Sequence, residues 1–168
     1  MNKNKRNLKQ AFIIKNKVTK DRRGKFLKIN DNLKKEKIQH CFSFNKKKYT
    51  LRGLHFQKKP HQEKKIITCI KGSIFDVVVN INKKSKDYLK WNFFYLNEIN
   101  QHSLFIGKDY AHGFMTLTDD TIVSYQIIGN FYSKFQSGIA WNDNKINIQW
   151  PEKPKIISPR DKNFTHII

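Results

Sequence analysis

The chain has 168 residues, 38% of them hydrophobic, with 13 Phe, 6 Tyr and 3 Trp for a core, so disorder of the whole chain is excluded. Its two cysteines are too few for a disulfide scaffold or zinc cluster, and it lacks a long apolar run and a signal-peptide pattern, so we expect a cytoplasmic protein outside the membrane. The formal net charge of +21 predicts attraction to polyanions, including the diphosphate of a nucleotide.

From residue 11 onward the sequence predicts short strands, rich in β-branched and aromatic residues and separated by polar turns. In chain order they are Ala11–Ile14, Lys25–Ile29, Ile38–Phe44, Thr50–Gln57, Lys65–Ile70, Ser73–Ile81, Trp91–Leu96, Ser103–Ile106, Gly113–Leu117 and Thr121–Ile128. Only residues 30–37 and the segment from Pro151 onward could hold a short helix. Residues 1–10 are expected to be a disordered tail. Residues 11–168 are predicted to form one all-β domain, a jelly roll by strand number.

Side-chain alternation in these strands predicts a pocket on their inner faces. Lys65 shares a strand face with Ile67, and Tyr125 shares one with Val123. Polar side chains among apolar neighbours on an inward face would line a cavity. Taken singly, Tyr125 is better explained as a core tyrosine with a satisfied hydroxyl, and Lys65 as a surface lysine at a strand end.

The segment RGLHFQ, residues 52–57, is the most specific motif in the chain. Strict alternation places Arg52 and His55 on opposite faces, but Gly53 could form a bulge that turns both toward one cavity. A second histidine, His112, lies in YAHGF, and a late carboxylate, Asp161, ends SPRD. Together with the lysine and tyrosine above, they could perform acid and base chemistry on an anionic substrate.

Motifs along nearly the whole chain resemble one known family. They are RGLHFQ at 52–57, Pro60 and Lys65, FDVVVN at 75–80, YAHGF at 110–114, Tyr125, IAWND at 139–143 and SPRD at 158–161. Their order and spacing are similar to those of the dTDP-4-dehydrorhamnose 3,5-epimerase family, from about Phe12 to Asp161. The resemblance implies a cupin-type jelly roll, a homodimer with strand exchange, and no metal or organic cofactor.

The resemblance also implies roles for four residues. The substrate of this family is a nucleotide-linked 4-keto sugar, in which the hydrogens on C3 and C5 are acidic because both carbons adjoin the C4 carbonyl. By this resemblance His55 is the base, Asp161 supports its imidazolium, and Tyr125 returns a proton from the opposite face of the ring. Lys65 would stabilise the charge that develops on the C4 oxygen.

Eight further positions match substrate-binding residues of the family. They are Arg23, Lys28, Gln39, Cys41, Arg52, His112, Gln136 and Arg160. Lys28 and Gln136 stand where the family has glutamates, Cys41 where it has an asparagine, and Arg160 where it has a lysine. Two negative charges are thereby lost near an anionic ligand, which leaves the nucleotide base and the sugar open.

Many cupins bind a metal through closely spaced histidines, but this sequence has no His-x-His pair and has Gln57 two residues after His55. We therefore expect metal-free chemistry. Three alternatives to 3,5-epimerisation stay open: inversion at C3 or C5 alone or on another nucleotide sugar, 3,4-ketoisomerisation, and nucleic-acid binding. The last rests on charge alone, and the scattered lysines, which greatly outnumber the arginines, argue against it.

Overall fold

The computed structural model of the chain describes residues 8–29 and 37–167. This part is built almost entirely from strands, with one short α-helix and one 3-10 turn at Ser133–Phe135. The strands are β1 Ala11–Lys15, β2 Lys17–Asp21, β3 Gly24–Lys28, β4 Ile38–Asn45, β5 Thr50–Gln57, β6 Lys64–Lys71, β7 Ser73–Asn80, β8 Trp91–Asn97, β9 His102–Ile106, β10 Tyr110–Thr116, β11 Thr121–Ile128, β12 Gln136–Gly138 and β13 Ile156–Ile157, and the helix is α1 Pro159–Lys162.

Two sheets form the body of the domain. One has the strand order β1-β9-β6-β11-β4, and the other has the order β12-β5-β10-β7-β8 with β13 paired to β5. All these pairings are antiparallel except that of β13 with β5. The arrangement is the cupin-type jelly roll, which confirms the predicted fold class. Strands β2 and β3 form a separate two-stranded hairpin.

Strand β7 shows why the sequence folds into two layers. Its alternate residues Ile74 and Val78 belong to the core cluster between the two sheets. Phe75, Val77 and Val79 belong to a second cluster on the other side of the strand. Both faces of the strand are buried. One face is apolar from Phe75 onward, and the other also carries the polar side chains of Asp76 and Asn80.

Each of the ten predicted strands overlaps an observed one, and the short helix predicted after Pro151 is α1. Three strands were missed. β2 is polar and mostly exposed, so it carries no apolar alternation. β12 and β13 have 3 and 2 residues, too few for a periodic pattern. The possible helix at residues 30–37 lies, except for Lys37, outside the described residues.

The core cluster between the two sheets includes a residue that precedes residue 11, where the folded domain was predicted to begin. Leu8, which the sequence analysis assigned to the tail, is 4% exposed and packs in the cluster between the sheets. Its carbonyl accepts a hydrogen bond from the N–H of Ala11. Residues 1–7 lie outside the described part. Within that part no helix is long and apolar enough to cross a membrane.

Candidate active site

A cavity of about 270 Å³ brings together six of the residues singled out from the sequence. It lies on the inner faces of β4, β5, β6 and β11, near the segment that follows β11. Its lining consists of Cys41, Ser43, Arg52, His55, Phe56, Glu63, Lys65, Tyr125, Ile127, Phe131 and Gln136. An adjoining cleft of about 630 Å³ shares Phe131 and contains Gln39.

A bulge at Gly53 turns β5 toward this cavity, as predicted. His112 of β10 pairs with His55, but Phe114 pairs with Arg52, so two steps along β10 match three along β5. Gly53 has φ +132°, a conformation that favours glycine. A Cβ there would also lie only 2.5 Å from the Cα of Gly113. The extra residue lets Arg52 and His55 line the same cavity.

The His55 imidazole is held by Asp161. His55 Nε2 lies 2.8 Å from Asp161 Oδ1, and Asp161 Oδ2 accepts the N–H of Gly53 at 2.9 Å. Ser158 caps α1 by accepting the N–H of Asp161, which fixes the carboxylate at the start of the helix. Burial acts to raise the pKa of Asp161, but the hydrogen bonds and charge of His55 and the Gly53 N–H outweigh it and hold that pKa below its usual value.

Tyr125 presents a phenol to the same cavity from β11. It pairs with Ile67 of β6 and Cys41 of β4, which fixes it on the inner face of the sheet. Burial, assisted by the negative charge of Asp76, raises the pKa of Tyr125 well above its ordinary value. The phenol therefore stays protonated through the neutral range.

His112 lies beneath the cavity rather than in its lining. Its side chain is 4% exposed, and its Nε2 lies 2.9 and 3.0 Å from the two oxygens of Asp76. Burial raises the pKa of Asp76, against the opposing charges of His112 and Lys65. The His112 ring meets the Tyr125 ring edge-on at 6.3 Å. Asp76 shares a face of β7 with Ile74 and Val78, and it was not among the site residues predicted from the sequence.

Lys65 lines the cavity, and a residue that the sequence analysis missed lies beside it. Lys65 Nζ is 3.0 Å from Oε1 of Glu63, and both side chains are nearly buried. The missed signal was the position of Glu63, two residues before Lys65, just ahead of β6. The site thus contains two carboxylates that hold nitrogen-bearing side chains, Asp161 at the imidazole of His55 and Glu63 at the ammonium of Lys65.

The other predicted binding residues are divided between the cavity rim and more distant places. Arg52 lines the cavity and donates from Nε to Asn45 Oδ1 at 2.8 Å. Arg23 and Lys28 lie on the β2–β3 hairpin, outside the cavity, and Arg23 pairs with Asp21. Arg160 does not line the cavity either: its guanidinium lies 5.7 Å from the centre of the Phe164 ring.

The described residues contain no group of three or more His, Cys, Asp or Glu side chains that could hold a metal ion. Gln57, at the position where a second ligand would follow His55, is instead bonded to Glu63 and Asn130. Besides the Cys41 thiol and the Glu63 carboxylate, which is bonded to Lys65 and Gln57, the cavity is lined by one imidazole, one phenol, one ammonium and one guanidinium. These four groups suit proton transfer and anion binding.

A jelly roll whose cavity combines an imidazole–carboxylate pair, a phenol and an ammonium defines a cupin-type acid–base enzyme. The sequence model of dTDP-4-dehydrorhamnose 3,5-epimerase matches residues 5–167. The chain therefore belongs to the dTDP-4-dehydrorhamnose 3,5-epimerase family, an isomerase class, and the resemblance found in its sequence is confirmed.

Relatives and solved structures agree with this assignment. A dTDP-4-dehydrorhamnose 3,5-epimerase of Shigella flexneri is 37% identical over 171 residues, covering 97% of this chain and 94% of its own. The Bacillus anthracis enzyme of that name, solved with TDP and PPi bound, has a TM-score of 0.88 at 32% identity and 94% coverage of both chains. The Legionella pneumophila dTDP-6-deoxy-D-glucose-3,5-epimerase, in complex with dTDP-4-keto-L-rhamnose, has a TM-score of 0.88 at 26% identity, covering 96% of this chain and 90% of its own.

Proposed function

We propose that this chain catalyses 3,5-epimerisation of a dTDP-linked 4-keto-6-deoxyhexose, converting dTDP-4-dehydro-6-deoxyglucose into dTDP-4-dehydrorhamnose. One observation carries the proposal: the His55–Asp161 pair and the Tyr125 phenol line or adjoin one cavity together with Lys65. The names of the relatives, and the nucleotide sugar bound in the Legionella structure, support the substrate class.

Proton abstraction is assigned to His55. Its Nε2 is engaged by Asp161, which leaves Nδ1 to accept the proton from C3 or C5. The imidazolium that forms is stabilised by the carboxylate, whose lowered pKa keeps it ionised at neutral pH. The electron pair of the broken C–H bond forms a double bond from C3 or C5 to C4, and the C4 carbonyl oxygen takes the negative charge of the enolate. Lys65 stabilises that charge.

Inversion requires that a proton return to the opposite face of the sugar. We assign this step to Tyr125, because its raised pKa keeps the phenol protonated and available as a donor. The His112 ring packs edge-on against the phenol ring, and Asp76 holds His112 in place.

Binding of the nucleotide and of the rim of the sugar is assigned to the remaining residues that were predicted from the sequence. These are Arg23, Lys28, Gln39, Cys41, Arg52, Gln136 and Arg160, whereas His112, which is buried beneath the cavity and bonded to Asp76, is assigned no contact with the substrate. Of them, Cys41, Arg52 and Gln136 line the cavity and Gln39 lines the adjoining cleft. The guanidinium of Arg52 suits a phosphate, since it can donate two parallel hydrogen bonds.

We also propose a homodimer that exchanges the β2–β3 hairpin. The hairpin pairs with no other described strand, and a lone two-stranded ribbon is at best marginally stable in water. Its Phe26 is 71% exposed, as expected of a residue that a second subunit would cover. Exchange would also carry Arg23 and Lys28 from their exposed hairpin toward the partner's cavity. The cytoplasm is the proposed location, where both cysteines would remain reduced.

One alternative within the family has specific support. A dTDP-4-dehydrorhamnose 3-epimerase of Streptomyces niveus is 29% identical over 113 residues, 67% of this chain and 55% of its own. The proton-transfer residues by themselves do not separate inversion at C3 from inversion at both carbons.

Incubation with dTDP-4-dehydro-6-deoxyglucose in deuterated water, followed by NMR, tests the proposal. We expect solvent deuterium at both C3 and C5, and the rhamno configuration in the product. Deuterium at C3 alone would identify a 3-epimerase. Incorporation at neither carbon would overturn the epimerase function.

A further inference from the structure

Glu63 lines the catalytic cavity but takes no part in the proton transfers assigned to His55 and Tyr125. One carboxylate oxygen lies 3.0 Å from Lys65 Nζ, and the other accepts a hydrogen bond from Gln57 Nε2 at 2.8 Å. The side chains of Lys65 and Glu63 are only 9% and 10% exposed. Both oxygens of this carboxylate are therefore engaged by donors away from bulk water.

The orientation of the Gln57 amide is fixed by its other contacts. Nε2 also donates to the carbonyl of Asn130 at 3.1 Å, and Oε1 accepts the N–H of Tyr132 at 2.8 Å. Reversing the amide would place a donor against the Tyr132 N–H and an acceptor against the Asn130 carbonyl. Gln57, itself 3% exposed, must therefore present its NH₂ group to Glu63.

Two donors thus converge on one side chain, the ammonium of Lys65 and the amide NH₂ of Gln57. A carboxylate accepts from both, whereas a glutamine could accept from one only by presenting its own NH₂ to the other. A buried ammonium also needs an opposite charge nearby. The charge of Asp76 also interacts with Lys65, but both Asp76 oxygens are bonded to His112.

We propose that Glu63 is a positioning residue that holds the Lys65 ammonium against the cavity wall. It uses one of the three ammonium hydrogens and leaves the others for the substrate oxygen. Through Gln57 it also ties Lys65 to residues 130–132, the segment that contributes Phe131 to the cavity. This inference rests on the proposed function in assigning Lys65 to the C4 oxygen.

The kinetic test compares Glu63→Gln with the wild type and with Glu98→Gln, an exposed control. A misplaced catalytic group commonly costs about 100-fold, so we expect kcat to fall by about 10- to 100-fold in Glu63→Gln, while KM changes less than about threefold. The control should keep wild-type values. In a Lys65→Ala background the same substitution should have almost no further effect, because Glu63 acts through Lys65. Unchanged kcat in Glu63→Gln, or a full additional loss without Lys65, would overturn the inference.

A chemical measurement tests the contact without using activity. Reductive methylation modifies only the neutral amine, and a neighbouring carboxylate favours the ammonium. Glu63→Gln should therefore increase the methylation rate of Lys65 several-fold relative to the exposed Lys46, the internal reference, as read by mass spectrometry of the peptides. An unchanged ratio contradicts the inference. If the wild type fails to epimerise while this ratio rises, the proposed function fails and the positioning of Lys65 by Glu63 stands.

A conservative variant keeps the test decisive if the glutamine substitution prevents folding. Glu63→Asp retains an acceptor-only side chain but withdraws it by one methylene from Lys65. We expect it to lose less kcat than Glu63→Gln, and again only when Lys65 is present. Loss of kcat in Glu63→Asp that persists in the Lys65→Ala background would count against the proposal.

Discussion

His55 Nε2 and Asp161 Oδ1 lie 2.8 Å apart although their residues are 106 positions apart in the chain. The same carboxylate accepts the N–H of Gly53, so it fixes both the bulge in β5 and the imidazole that follows it. One side chain thus couples the local geometry of the strand to the position of the proposed base.

We expect His55→Ala to abolish exchange of the C3 and C5 hydrogens with solvent, because no enolate forms without the base. Loss of a positioned base typically costs about 10²- to 10⁴-fold in rate. Asp161→Asn should reduce exchange as well, since the imidazolium loses its carboxylate. NMR in deuterated water measures both, with exposed His40→Ala as the control. Wild-type exchange in His55→Ala would refute the assignment of the base.

Tyr125→Phe should separate exchange from inversion. His55 can still remove a proton and return it to the same face, so part of the exchange should persist while net epimerisation falls by about 10²-fold or more. The measurement compares deuterium incorporation with product configuration in one NMR series, and Tyr95→Phe on the surface serves as the control. Equal loss of both processes would mean that Tyr125 is needed for proton removal too.

Gly53→Ala should destabilise the fold by about 1–3 kcal/mol or more, from an alanine at positive φ combined with overlap of the Gly113 backbone. Gly24→Ala is the matched control, because Gly24 also has positive φ, +124°, but nothing lies within 4 Å of an added Cβ. Chemical denaturation of the two variants measures the difference. Equal destabilisation would show that crowding at Gly53 contributes nothing.

The lowered pKa of Asp161 predicts the sign of one pH effect on stability. Because the folded state binds this proton less readily than the unfolded state, the ionised carboxylate stabilises the fold above its ordinary titration range, near pH 4. That contribution is lost as the pH falls through the lower folded-state pKa. The free energy of unfolding should therefore decrease more steeply with acid in the wild type than in Asp161→Asn, between about pH 5 and pH 2. Parallel curves would contradict this, and exposed Asp120→Asn should follow the wild type.

Phe26→Ser should weaken the proposed dimer, because Phe26 lies exposed on the exchanged hairpin. Sedimentation at micromolar concentration should show a dimer for the wild type and an increased monomer fraction for the variant. Ile99→Ser, which changes another highly exposed apolar residue, should leave the association unchanged. A monomeric wild type would remove the dimer proposal.

Local pattern was enough to predict the strands and part of the site. Alternation along β6 and β11 correctly placed Lys65 and Tyr125 on inward faces, because a strand repeats every two residues whatever its partners are. The glycine in RGLHFQ correctly predicted the bulge that brings Arg52 and His55 to one cavity. The polar and very short strands β2, β12 and β13 escaped prediction because their pairing depends on neighbours in space.

The sequence by itself determined the all-β class, the glycine at which a bulge could form, and which residue types could carry proton transfer. Only the tertiary structure decided which polar side chains form pairs: Asp161 with His55, Asp76 with His112, and Glu63 with Lys65. It also left Arg23 and Arg160 outside the cavity of the same chain. The physical reason is that alternation fixes the face on which a side chain lies, whereas its partner is set by sheet register and by long-range packing, which no local pattern encodes.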